Sequence, residues 1–213
     1  MNHPSAVEIL GKVGAMIQND HIVYTSGRHG SHYINKDAIY PHTALTSQLC
    51  RWIAEAFRNE NVEAVLAPAI GGVILSQWVA YHLSEMTGKD IPGVYAEKKP
   101  TDDGFVIKRG YDKLIEKKRT LLLEDVITTG ISVKRVVEAA RAIPSDIIAV
   151  AALCNRGGVT TEALGNVPKL FSLVDITLDS WEADECPLCQ KQVPINTKVG
   201  KGLEYLARSQ KKE

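Results

Sequence analysis

What this sequence lacks narrows it before any motif is read. Nowhere in its 213 residues is there an apolar run approaching the ~20 residues that span a bilayer. Residues 1–10 carry neither a basic leader region nor an apolar core, so no secretion signal is expected and the expected location is the cytoplasm. Net charge is also missing, because 25 Lys and Arg balance 25 Asp and Glu. That balance removes the global field that draws a protein onto nucleic acid or an anionic membrane, so a charged ligand must be gripped locally. Cysteine is scarce. Cys50, Cys154, Cys186 and Cys189 are the full set, and without a secretion signal they are expected as reduced thiols rather than a disulfide framework. There is no Gly-x-x-x-x-Gly-Lys-Ser/Thr and no Gly-x-Gly-x-x-Gly after a strand, which excludes two common nucleotide-binding loops. Internal repeats are absent, and the only biased segment is the tail Lys211-Lys212-Glu213.

What is present suits one α/β domain over residues 1–213, since 45% hydrophobic content over this length can bury a substantial core. Its expected parts are an N-terminal helix and hood hairpin (1–42), an α/β core (43–178) and a C-terminal extension (179–213). Ser5 and Glu8 have capping-box spacing, and Val7, Leu10, Val13 and Ile17 recur at helical spacing, which predicts a helix ending near Asn19. A strand over 22–25 follows. The turn Ser26-Gly27-Arg28-His29-Gly30-Ser31 joins it to residues 32–35, giving a polar hairpin outside the main sheet. From Thr43 the pattern alternates between helices (Leu45, Leu49, Trp52, Ile53, Ala56; then Ile74, Leu75, Trp78, Val79) and apolar strands over 64–67, 93–96, 119–123 and 147–153. Strands apolar throughout are buried on both faces, which favours a central, mainly parallel sheet flanked by helices. Residues 97–110 read as a mobile loop, too polar to pack and too long for a simple turn. Residues 202–209 read as a short terminal helix.

The chemistry concentrates in Leu121-Leu122-Leu123-Glu124-Asp125-Val126-Ile127-Thr128-Thr129-Gly130-Ile131-Ser132. A buried strand here delivers two carboxylates to the carboxyl edge of the sheet, where open α/β sheets bind ligands. A short loop of hydroxyls and glycine then enters a helix bearing Val133, Val136, Val137 and Ala140, with Ser132 as its expected cap. Backbone amides, the hydroxyls of Thr128, Thr129 and Ser132, and a helix start together suit a phosphate dianion. The carboxylates would repel that phosphate, so they are better placed to accept hydrogen bonds from sugar hydroxyls. A ribose 5-phosphate is the implied ligand.

This stretch resembles the phosphoribosyl pyrophosphate (PRPP) motif of the type I phosphoribosyltransferases. The resemblance covers roughly residues 5–175 and implies that family's fold. It implies PRPP contacts from Glu124 to Ser132, namely Glu124, Asp125, Val126, Ile127, Thr128, Thr129, Gly130, Ile131 and Ser132. A second loop, Pro68-Ala69-Ile70-Gly71-Gly72, resembles the family's pyrophosphate loop, so Ala69, Gly71 and Gly72 join the PRPP set; glycines there allow close backbone approach. The charged stretch 97–110 falls where the family carries a loop that closes over PRPP, making Lys98 or Lys99 candidate catalytic groups beside Asp125. Thr25-Ser26-Gly27-Arg28 with Tyr33 and Asn35 resembles the N-terminal signature of orotate phosphoribosyltransferases. Leu153-Cys154-Asn155-Arg156-Gly157 falls where those enzymes present an arginine to the base. Arg28, Thr128 and Arg156 are therefore the candidate orotate contacts, with Arg156 able to pair with a carboxylate in forked geometry.

The implied reaction joins PRPP to orotate, giving orotidine 5′-monophosphate and pyrophosphate in pyrimidine synthesis. Mg2+ is the implied cofactor, held through PRPP with no direct protein ligand. A homodimer is implied, and neither nucleic acid nor membrane is expected as a partner. The alternatives are a phosphoribosyltransferase for a purine base and a non-catalytic PRPP sensor; no basic helix-turn-helix supports the second. The chain departs from the family at Thr25, Gly71 and Glu124, where lysine, lysine and aspartate are usual. Cys186-Pro187-Leu188-Cys189 resembles half of a rubredoxin or zinc-knuckle site. A tetrahedral zinc needs four ligands, and the chain has no second Cys-x-x-Cys and no nearby histidine pair, so the expected reading is two reduced thiols in a turn, with metal binding through a partner subunit as the alternative.

Overall fold

A strand whose side chains are apolar on both sides must be covered on both faces, and the run at residues 119–123 obeys this by forming the middle of the sheet. The structure, a computed structural model, describes residues 3–24, 26–176 and 179–209. Thr25, and with it the last residue of the strand expected over 22–25, lies outside the described residues, as does the lysine-rich tail.

In chain order the elements are α1 (Pro4–Lys12), β1 (Met16–Ile17), β2 (Ile22–Val23), β3 (His29–Gly30), β4 (Tyr33–Ile34), a 3-10 turn (Lys36–Ala38), α2 (Thr43–Phe57), β5 (Ala64–Pro68), α3 (Gly71–Thr87), β6 (Gly93–Lys98), β7 (Phe105–Val106), α4 (Tyr111–Ile115), β8 (Arg119–Ile127), α5 (Ile131–Arg141), β9 (Asp146–Asn155), β10 (Leu170–Asp175), β11 (Ser180–Trp181), α6 (Pro187–Gln190) and α7 (Gly202–Ser209). The central sheet runs β10-β9-β8-β5-β6-β7. Every neighbouring pair is parallel except β6 with β7. Side chains alternate across it. Leu121 and Leu123 enter a core shared with α2 and α3, while Leu122 enters the opposite core with Val133, Val136 and Val137 of α5. Truncating Leu122, which is fully buried, costs about 2–5 kcal/mol on the scale of core leucines. The architecture is the α/β sheet flanked by helices that the apolar strands imply. Two small sheets, β1-β4 and β11-β3-β2, lie apart from the central one; the hood supplies all their strands but β11, which the C-terminal extension adds to β3.

Four local expectations are corrected. The first helix stops at Lys12, because Gly14 takes a left-handed φ of +69° and the chain turns so that Met16 and Ile17 pair with Ile34 and Tyr33. Its start is not a capping box either: His3 sits at the N-cap without a side-chain bond and Pro4 occupies the first turn, where proline is preorganised. Ser132 caps nothing, since Gly130, at φ +76°, holds that position and makes no side-chain bond. Finally, residues 97–110 are not too polar to pack. Glu97 and Lys98 pair antiparallel with Val106 and Phe105, and Phe105 and Ile107 are buried in the α5-side core. The tip is tied down as well, by Arg135 to the Asp103 carbonyl at 3.0 Å, and the base by Arg109 to Glu97 at 2.6 Å. Two buried apolar residues anchor a hairpin most of whose other side chains are exposed.

Candidate functional site

Parallel strands that end together leave their last residues facing one crevice. Here β5, β6 and β8 end at Pro68, Lys98 and Ile127, and a cavity of about 660 Å³ opens beyond them. Of the residues expected to act, Ala69, Gly71, Lys98, Glu124, Asp125, Val126, Thr128, Ser132 and Arg156 line it. A smaller adjoining hollow of about 130 Å³ is formed by residues 126–133 with Glu124, and so gathers Ile127, Thr129, Gly130 and Ile131. The contiguous strand, loop and helix start thus make a cradle beside the main cavity. Gly72 lies beneath the floor: a Cβ there would come within 2.6 Å of the Ala67 Cβ, so this glycine permits helix packing rather than ligand approach.

Asp125 is a hub. Its Oδ2 accepts from Lys36 Nζ at 2.7 Å and from the Tyr40 hydroxyl at 3.2 Å, and its Oδ1 accepts from the Val126 amide at 2.6 Å. Tyr40 also donates to the Gly71 carbonyl at 2.8 Å, which links the pyrophosphate-type loop to the acidic pair. A Cβ at Gly71 would fall on the Asp125 carboxylate and within 2.6 Å of Lys36 Nζ. The absence of a side chain at position 71 therefore leaves room for the Lys36 ammonium. Burial opposes the charge on Lys36, but the hydrogen bond and negative charge of Asp125 outweigh it and raise its pKa. Burial also raises the Tyr40 pKa, reinforced by Asp125, so Tyr40 stays a donor.

Glu124 behaves differently. Burial, then the neighbouring Asp125 charge, pushes its carboxyl up to about 8, so it is largely protonated at neutral pH. Its Oε1 accepts from the Asp125 amide at 3.0 Å.

Just beyond the end of β9, the Arg156 guanidinium sits 5.1 Å from the centre of the Tyr24 ring, a cation–π distance. Burial raises the Tyr24 pKa, with Arg156 opposing, and its hydroxyl donates to the His32 carbonyl at 2.7 Å. The Arg156 loop passes so close to the phosphate-type loop that a Cβ at Gly157 would strike the Thr128 carbonyl.

Two expected residues lie elsewhere. Arg28 does not line the cavity; it bonds Ser180 Oγ at 3.0 Å, the Ser180 carbonyl at 2.6 Å and the Glu182 carboxylate. It joins the hood to the C-terminal extension. Lys99 is likewise absent from the lining, with its ammonium 3.8 Å from Asp102. Conversely, Lys36, Asp37, Tyr40 and Lys201 belong to the site or its support and were not singled out. Lys36 directly follows Asn35 of the hood signature and was open to recognition from it. Lys201 carried no signal, as only the fold returns the C-terminal extension to the cavity. The cysteine pair is also less isolated than its sequence neighbourhood suggests, because His21 and His29 fold against it.

Comparison with known proteins follows this geometry. The phosphoribosyl transferase domain family matches residues 35–188. An orotate phosphoribosyltransferase of Caldicellulosiruptor saccharolyticus is 31% identical over 92% of this chain and 95% of its own. That of Bartonella quintana is 32% identical over 88% of this chain and 92% of its own. Among solved structures, Mycobacterium tuberculosis orotate phosphoribosyltransferase in complex with PRPP superposes with a TM-score of 0.60 at 18% identity, covering 81% of this chain and 97% of that one. Trypanosoma brucei adenine phosphoribosyltransferase also scores 0.60, at 15% identity, over 91% and 87% of the two chains. The fold alone does not distinguish the bases. The family match over most of the chain and the near full-length relatives agree: this chain belongs to the phosphoribosyltransferase family, and within it groups with the orotate phosphoribosyltransferases.

Proposed function

We propose that the chain transfers the 5-phosphoribosyl group from PRPP to orotate, releasing orotidine 5′-monophosphate and pyrophosphate. The observation that carries this reading is that the acidic pair, the hydroxyl loop and Arg156 line one cavity. Thr128 and Ser132 with the 126–130 amides take the 5′-phosphate, as a loop and helix start suit a dianion. Glu124 and Asp125 hold the ribose side. Breaking the anomeric bond builds positive charge on the sugar and negative charge on the departing pyrophosphate. Lys98 is the group assigned to the leaving charge, because it lines the cavity while Lys99 does not. Lys36 supplies a second cation beside Gly71, where the family's usual lysine is missing. Arg156 takes the orotate carboxylate as a forked donor.

Mg2+ is the proposed cofactor. The wall offers hard carboxylate and hydroxyl oxygens, the donors this ion prefers, yet Asp125 is already engaged by Lys36, Tyr40 and an amide. That donor set fits an ion carried chiefly by PRPP oxygens, where it would neutralise charge leaving with pyrophosphate. A homodimer in the cytoplasm is proposed with it. The exposed apolar side chains of Ile74 and Tyr81 along α3 support a self-association face, and no described helix is long and apolar enough to cross a membrane.

The test is loss of orotate absorbance on mixing protein, PRPP and Mg2+, with pyrophosphate measured in parallel. Orotate-dependent pyrophosphate release supports the reading. Release with adenine, hypoxanthine or guanine but not orotate overturns the base, and PRPP binding without release from any base overturns the transferase.

A further inference from the structure

The hood and the C-terminal extension meet away from the cavity, around four side chains with no place in the transfer reaction. Cys186 and Cys189 flank Pro187-Leu188 where α6 begins, and both are free thiols. His21 precedes β2, and His29 opens β3. His21 Nε2 lies 2.9 Å from His29 Nδ1, 3.6 Å from Cys186 Sγ and 3.7 Å from Cys189 Sγ, and His29 Nδ1 lies 3.4 Å from Cys189 Sγ. All four ligand atoms fall within 4.8 Å of one another, and three of the four residues are fully buried from solvent.

Hydrogen bonding accounts poorly for this arrangement, since thiols are weak donors and imidazole nitrogens compete for few protons. A tetrahedral ion accounts for it well. With Zn–N near 2.0–2.1 Å and Zn–S near 2.3 Å, the ligand atoms of a tetrahedron stand roughly 3.3–3.8 Å apart. Three of the four separations given above lie in that range, and the histidine pair is slightly closer. The other nitrogen of His21, Nδ1, donates to the Val193 carbonyl at 2.7 Å. That bond fixes the tautomer so that Nε2 turns its lone pair to the cluster, as the outer hydrogen bond of a metal-binding histidine does.

We infer that His21, His29, Cys186 and Cys189 form a structural zinc site that fastens the hood to the C-terminal extension. Two thiolates and two imidazoles in a tetrahedron select zinc over hard cations. Four protein ligands leave no open position for substrate, so the site is structural rather than catalytic. None of the four lines the cavity, but the segments they join supply its Tyr24, Lys36 and Lys201. The Arg28 bonds to Ser180 and Glu182 fasten the same two segments close by. The inference stands apart from the identity of the base, because its test reads metal and not turnover.

The experiment is elemental analysis of the full, untagged chain purified without added metal. The expected result is about one zinc per chain, released by a thiol-blocking reagent. Cobalt(II) replacing it gives tetrahedral ligand-field bands and a thiolate-to-cobalt charge-transfer band. Cys189→Ser and His29→Ala each lose the zinc and the charge-transfer band or weaken it. If a variant fails to fold, the wild-type measurements still decide. Folded wild-type protein that carries no zinc and takes up neither Zn2+ nor Co2+ overturns the site. So does a mass two hydrogen atoms short that marks a Cys186–Cys189 disulfide in the freshly purified chain.

Discussion

One wall of the cavity comes from a single strand, loop and helix, which supply Glu124, Asp125, Val126, Thr128 and Ser132. A second part of the lining gathers Tyr24, Lys36, Arg156 and Lys201 from the hood, the end of β9 and the C-terminal extension. The first wall is held by the sheet, whose central strands bury leucines on both faces. The second is held by pairwise ties between distant segments: Lys36 to Asp125, Arg28 to Glu182, and the histidine–cysteine cluster. The first part thus rests on the central sheet, and the second on contacts between segments far apart in sequence.

The widest test of that division is Asp125→Asn. Removing one preorganised charged group from a transition-state site costs on the order of 100- to 1,000-fold in rate, so kcat/KM for PRPP should fall by that amount. The near-isosteric amide still fills the strand, and a thermal melt should move little by comparison. Activity within a few-fold of wild type would remove the ribose from this wall. Next comes a pair of variants. Lys98→Ala should lose on the order of 100-fold in kcat, while Lys99→Ala, whose ammonium faces Asp102 across an exposed surface, should change it little. The reverse ranking would mean that the 99–104 tip swings inward during turnover.

The same division explains how much the sequence disclosed. The site's first wall was legible because acids, hydroxyls and glycine follow one apolar run, and the run itself dictates a buried parallel strand. The sheet was legible for the same reason. Arg28 was misplaced because a Ser-Gly-Arg turn does not state which way its side chain faces; Ser180 and Glu182, about 150 residues later, decide that. Lys36 became part of the site because Gly71 leaves the space its ammonium occupies. The cysteine pair looked unpartnered because its histidines lie more than 150 residues earlier. The 97–110 segment was misread because its two anchoring residues, Phe105 and Ile107, are outnumbered by charges.

A smaller effect separates the two arginines. Arg156→Lys keeps the charge but loses the forked donor, so KM for orotate should rise about 10-fold, equivalent to ~1.4 kcal/mol, with kcat less affected. Arg28→Lys should leave that KM nearly unchanged and lower the melting temperature instead, because it loosens the hood from Ser180 and Glu182. Swapped outcomes would return Arg28 to the base and make Arg156 a structural cation.

The finest effect is a proton. The Glu124 carboxyl titrates at about 8 in the folded chain, above its ordinary value near 4.3, so folding favours its protonated form. Its stabilising contribution is complete below pH ~4 and is lost as pH rises through 8. Glu124→Gln should therefore gain stability relative to wild type between those limits, seen as a melting-temperature difference that widens with pH. Ligand binding runs the other way. Ribose hydroxyls donating to Glu124 favour the carboxylate, which lowers its pKa and releases a proton. Between pH 6 and 8, calorimetry in buffers of different ionisation heat should find up to about one proton released per PRPP bound, beyond what Glu124→Gln releases. Equal release from both proteins would mean that the ribose leaves Glu124 untouched and that Asp125, with Lys36 displaced from it, holds the diol alone.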